Sequence, residues 1–182
     1  MHMNKQTKLN ALKKQIDSCV LCQKDSIGIA VFGEGNPDAK IMFVGEAPGK
    51  NEAKTGRPFI GRSGKLLRES IRDIGLNEKD IYITSPVKYL PERGTPSRQQ
   101  IHHAKTHFDK QVEIIHPEII VLLGKTAIFA VLEEDIPVLT RHGEIIQRNN
   151  QSYLITIHPS AALRFPKYKA IIENDFKKIA QI

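Results

Sequence analysis

Two short apolar runs, Lys40-Ile41-Met42-Phe43-Val44-Gly45 and Glu118-Ile119-Ile120-Val121-Leu122-Leu123-Gly124, restrict the fold of this chain more than any other feature. A strand that is apolar at nearly every position, rather than at alternate ones, is buried on both faces, which happens when helices cover both sides of a largely parallel sheet. Between such runs lie segments of helical period. Lys8 to Ile16 repeats apolar residues at Leu9, Leu12 and Ile16, and Gly64 to Ile74 places Leu66, Leu67, Ser70, Ile71 and Ile74 on one face, closed by Gly75. Ser97 caps a helix that runs to about His116 and stops at Pro117; Lys125 to Leu132 and Lys167 to Ile182 are further helices. Ile27–Phe32, Ile81–Thr84 and Tyr153–Ile157 read as additional strands. The alternation predicts an α/β fold, a three-layer α/β/α sandwich around a central, mainly parallel four-stranded sheet, in one domain spanning 1–182. In such sheets ligands sit at the carboxyl ends of the strands.

Both Gly45 and His158 fall at such ends. Directly after the first run come Gly45-Glu46-Ala47-Pro48-Gly49 and then Gly56-Arg57-Pro58-Phe59-Ile60-Gly61-Arg62-Ser63-Gly64, which together carry five glycines and two prolines. Glycine admits close backbone approach and proline fixes the chain between such points, so this loop is shaped for a ligand. Within the two stretches Glu46 is the one acid and Phe59 the one aromatic, and both are expected to face whatever binds. A phosphate-binding loop fits less well: Gly56 to Ser63 has Arg62 where that motif needs lysine, and Pro58 and Phe59 do not suit a backbone cradle.

Lysine and arginine outnumber acids by 27 to 20, a net charge of +7, which favours a polyanion such as nucleic acid as partner. Charged residues at 26% and hydrophobic ones at 40% are ordinary for a soluble protein, and no apolar run approaches the length of a membrane span. The start, Met1-His2-Met3-Asn4-Lys5-Gln6, lacks the apolar stretch of a secretory signal, so the expected setting is cytoplasmic, without a membrane, and the expected state a monomer. Cys19 and Cys22 are the only cysteines; their C-x-x-C spacing suits half of a metal or cluster site, or a redox pair.

In order and separation, G-E-A-P-G, G-R-P-F-I-G-R-S-G-K-L-L, I-I-V-L-L-G and H-P-S closely resemble the uracil-DNA glycosylase superfamily, and within it the family 4 enzymes of bacteria and archaea. The likeness covers the chain from Cys19 to about Lys177. It implies hydrolysis of the N-glycosidic bond of uracil in DNA, after the base is flipped from the stack, leaving an abasic site. On this likeness His158 donates a hydrogen bond to the uracil O2 and Glu46 orients or activates the water. Phe59 stacks on the base, and Gly45, Ala47, Pro48 and Gly49 shape its pocket. Ser160, Leu163 and Arg164 belong to the segment that meets the DNA, with Leu163 filling the gap left by the flipped base. The best-known glycosylase family has an aspartate where Ala47 stands.

Two departures accompany the likeness. Family 4 enzymes carry a four-iron cluster on four cysteines; this chain supplies Cys19 and Cys22, while the third and fourth positions fall at Tyr89 and Ala104. His102, His103 and His107 surround the fourth, so Cys19, Cys22, His103 and His107 are candidates for a structural zinc, the alternative being a remnant of the iron-sulfur site with free thiols. No cofactor is expected for the chemistry itself. Second, the family reads the Watson-Crick edge of uracil with an asparagine where this chain has Ser85, which opens two alternatives: a changed base preference, toward hypoxanthine or xanthine, or a weakly catalytic lesion-binding protein.

Overall fold

The computed structural model describes residues 4–179. Helix α1 (Lys5–Asp17) is capped by Asn4, whose side chain accepts from Thr7 N–H, and turns Leu9, Leu12 and Ile16 inward. It leads through Ser18 and Cys19 into the single turn α2 (Val20–Gln23). The short strands β1 (Ser26–Ile27) and β2 (Glu34–Gly35) follow, then β3 (Ile41–Val44), the turn α3 (Glu52–Thr55), α4 (Arg62–Asp73), β4 (Ile81–Thr84) and β5 (Leu90–Pro91). Helix α5 (Arg98–Ile115) begins with a capping box, in which Ser97 and Gln100 each satisfy the other's backbone N–H, and ends at His116 in the left-handed region before Pro117. The chain closes with β6 (Ile119–Leu123), α6 (Lys125–Leu132), α7 (Val138–Arg141), β7 (Ile145–Arg148), β8 (Gln151–Thr156), α8 (Pro159–Arg164) and α9 (Lys167–Lys177).

The main sheet has the order β2-β4-β3-β6-β8-β7. Its four central strands are parallel: Phe43 stands opposite Ile83 on one side and Val121 on the other, and Val121 opposite Leu154. Alternate residues feed two cores. Met42, Val44, Ile120, Leu122 and Ile155 pack with Leu9, Leu12, Phe108 and Ile128 under α1, α5 and α6. Phe43, Ile83, Val121 and Leu154 pack with Leu67, Ile71, Ile172 and Phe176 under α4 and α9. Phe43 meets Phe176 edge-on at 5.2 Å between ring centroids. Each side chain buried in this way stabilises the sandwich by about 1.5–3 kcal/mol, which is why both faces of the central strands are apolar.

The expected sandwich and its four parallel strands are present, extended by antiparallel edge strands β2 and β7, which are too short or too polar to read from composition. Ile27–Phe32 is not one strand. Only Ser26–Ile27 pairs, with β5, because Gly28 at φ +80 breaks the extended run. Ser160 to Arg164, the segment expected to meet DNA, lies in the short helix α8. The expected end of α9 at Ile182 lies outside the described residues. Among the described residues no helix is long and apolar enough to cross a membrane.

Candidate active site

The carboxyl ends of all four parallel strands open onto one cavity of about 540 Å³. The segment after β3 contributes Glu46, Ala47, Pro48 and Gly49; β4 is followed by Ser85, β6 by Gly124, Lys125 and Thr126, and β8 by His158, with Phe59 and Ser160 completing the wall. Two glycines make this convergence sterically feasible. A Cβ on Gly45 would sit 2.5 Å from the Phe59 ring, and one on Gly124, itself at φ +85, would sit 2.8 Å from the His158 Cβ.

Phe59 adopts φ +52, a conformation that costs a non-glycine residue about 1–3 kcal/mol and persists only where its surroundings impose it. Arg68 on α4 does so, its Nε donating to the Phe59 carbonyl at 3.1 Å and its Nη2 to that of Pro58 at 3.0 Å. Arg68 is anchored in turn by Glu34 and Glu78. Burial alone would raise the Glu34 carboxyl, but hydrogen bonds from Arg57 and Arg68 hold it below the usual range, as an anion. On the far side of the loop, Glu52 accepts from the Ile60 and Gly61 N–H groups at 3.0 and 2.9 Å. Those are N–H groups a phosphate loop would need, and a carboxylate already occupies them.

His158 caps α8. Its Nδ1 accepts from Ser160 N–H at 3.1 Å and lies 2.7 Å from the Ser160 hydroxyl. A nitrogen that accepts a backbone N–H carries no proton, so the ring proton resides on Nε2. Burial pushes the imidazole down to about 4, leaving it neutral around pH 7. The ring lies 6.1 Å from that of Phe59, tilted by 32°. Together they give the cavity an apolar face beside a neutral donor. Among the described residues the Glu46 side chain makes no hydrogen bond or ion pair, so its carboxylate is free to engage a guest. The Ser85 hydroxyl donates to the Val87 carbonyl at 3.0 Å, which leaves it only acceptor capacity toward the cavity.

Residues 32–180 match the uracil DNA glycosylase superfamily. The chain belongs to that superfamily. It is similar to the type-4 uracil-DNA glycosylase of Sulfurisphaera tokodaii, 40% identical over 96% of this chain and 84% of that protein. The type-4 enzyme of Archaeoglobus fulgidus is 34% identical over 96% of this chain and 92% of its own length. That of Thermotoga maritima is 40% identical over 81% and 80%.

In this member of the superfamily a second groove, of about 430 Å³, adjoins the cavity at Ser63 and Ser160 and is otherwise lined by Arg62, Leu163 and Arg164. Neither arginine is ion-paired among the described residues, and Leu163 projects from α8 with 48% of its surface exposed. The structure therefore gathers Glu46 to Gly49, Phe59, Ser85, His158 and Ser160 in one cavity, with Gly45 packed behind Phe59 and Leu163 and Arg164 on the flank. Cys19, Cys22, His103 and His107 lie apart from it, with one donor atom from each within 4.8 Å of the others. His102 faces solvent, outside that group. Burial, with Cys19 adjacent, pushes the Cys22 thiol up to about 12.

Glu52, Arg68, Lys125 and Thr126 were not anticipated from sequence. Gly124 to Thr126 follow the strongest apolar run, so the rule that placed Gly45 and His158 at strand ends was sufficient to find Lys125 and Thr126 as well. Glu52 and Arg68 act by holding backbone groups 8 to 10 residues away, and nothing in the sequence marks such contacts.

Proposed function

We propose that this chain is a DNA repair glycosylase that hydrolyses the N-glycosidic bond of uracil in DNA and leaves an abasic site, the activity named in its relatives. The single observation that carries the catalytic reading is the fixed tautomer of His158: a neutral imidazole, bonded at Nδ1 to Ser160, with Nε2–H as its remaining donor. As the C1′–N1 bond breaks, its electron pair moves onto the uracil ring and charge develops at O2. A donor placed there stabilises the transition state more than the ground state. Water attacks C1′ as the base departs, and the Glu46 carboxylate orients it, accepts its proton and offsets positive charge on the sugar. No cofactor takes part in these steps.

Phe59 stacks on the extruded base, while Gly45, Ala47, Pro48 and Gly49 define the pocket around it. Ser85 accepts from uracil N3–H, the contact through which serine stands in for the family's asparagine. Ser160 and Arg164 engage phosphates beside the cavity, and Leu163 enters the duplex to fill the space the base vacates. One domain, 1–182, carries all of this, acting as a monomer in the cytoplasm. The test uses labelled oligonucleotides with one uracil, single-stranded or opposite guanine or adenine, assayed for alkali-labile sites. Strand cleavage at the uracil is expected; intact strands in every context would refute the activity, whether or not the DNA is bound.

A further inference from the structure

We propose that Cys19, Cys22, His103 and His107 form a tetrahedral site for a single zinc ion, in place of the four-iron cluster that the family likeness implies. Two of the four cysteines that would hold such a cluster are missing, and the four donor atoms present converge to within 4.8 Å of one another, room for one ion rather than for four irons. At the two missing positions stand Tyr89, only 6% exposed and packed into the core with Leu12 and Ile16, and Ala104, packed against Val87 and Ile101. Neither side chain offers a thiolate.

What the chain offers instead is a two-thiol, two-imidazole set. The cysteines flank one turn, with Cys19 capping α2 and Cys22 within it, while His103 and His107 are i, i+4 on α5 and therefore share one face. Their spacing, C-x₂-C with H-x₃-H, is that of structural zinc sites. The Cys19 Sγ lies 3.1 Å from His103 Nε2, and the two imidazole rings stand 5.5 Å apart and nearly perpendicular. Zinc with ordinary bonds to sulfur and nitrogen holds its donors about 3.3–3.8 Å from one another. The four donor atoms already lie within 4.8 Å, so closing on one ion takes only a small contraction. His107 Nδ1 is buried without a hydrogen-bond partner, a polar atom the protein alone leaves unsatisfied.

The ion pins the α1–α2 connection to α5 across some eighty residues of sequence. One turn beyond His107 on α5, Gln111 Oε1 accepts from Thr84 and from the buried Lys88, at 3.1 and 2.6 Å, just behind Ser85. The site thus steadies the helix that buttresses one wall of the cavity while taking no part in the chemistry.

Metal analysis of the purified full-length protein tests this independently of glycosylase activity. The expected result is about one zinc per chain with no stoichiometric iron or acid-labile sulfide, and a tetrahedral, thiolate-ligated visible spectrum after cobalt(II) exchange. His103→Ala and His107→Ala each reduce retained zinc about tenfold or more after dialysis against a chelator, while His102→Ala retains it. If the alanine variants are insoluble, the cobalt spectrum of the unmodified protein decides. Iron with sulfide, a metal-free protein whose melting temperature ignores both zinc and chelator, full zinc retention by both variants, or a cobalt spectrum without thiolate character would each overturn the proposal.

Discussion

The cavity at the strand ends and the Cys19/Cys22/His103/His107 group are both clusters of polar side chains, but they are held in opposite ways. In the cavity the working groups are fixed by protein hydrogen bonds: His158 by Ser160, the Phe59 backbone by Arg68, the following turn by Glu52. Nothing has to arrive for that geometry to exist, which is the preorganisation that electrostatic catalysis needs. The cysteine and histidine group is built from side chains on two helical segments far apart in sequence, and it keeps a buried nitrogen with no partner. On the zinc proposal, it is the ion that fastens these segments together. The two proposals together separate chemistry from anchorage, and substitutions at the two places are expected to fail differently.

The sharpest contrast is expected at His158. His158→Ala lowers the single-turnover rate of uracil release by about 10²–10³, the usual loss for one donor to a developing oxyanion, with DNA affinity and zinc content little changed. A loss seen in affinity alone would break the division. Phe59→Ala removes a stacking surface worth about 1–3 kcal/mol, so binding of uracil-containing DNA weakens by roughly five- to a hundredfold in fluorescence titrations. The smallest effect is a gain: Ser85→Asn restores an amide that can both accept from N3–H and donate to O4. About tenfold better discrimination of uracil from cytosine is expected in competition assays. Unchanged discrimination would mean that backbone groups already read that edge.

Legibility in the sequence follows the same division. Phe43, Val121 and Leu154 lie in runs whose burial on both faces dictated a parallel sheet, and the residues after them dictated the cavity. Glu46 and His158 were visible because they directly follow such runs. The edge strand Ile145–Arg148 was not, because it is four residues long with only Ile145 and Ile146 apolar, too short a run to stand out beside its partner Gln151–Thr156. The restraint of Phe59 by Arg68 was hidden for another reason: an arginine on a helix face looks like solvated surface until the fold brings two carbonyls to it. His103 and His107 were readable as a pair through their spacing on α5, whereas the exposure of His102 required the helix to be oriented.

The most direct test of the account is the pH dependence of single-turnover uracil release. Burial holds His158 at about 4 against an ordinary value of 6.5, so the neutral donor persists as the pH falls through the usual histidine range. The rate is therefore expected to stay level from about pH 8 to pH 5 and to lose the His158 contribution only as the pH approaches 4. In His158→Ala the rate is low throughout. A rate in the unmodified protein that halves near pH 6.5, or that rises as an imidazolium forms, would contradict a neutral His158 at the centre of the chemistry.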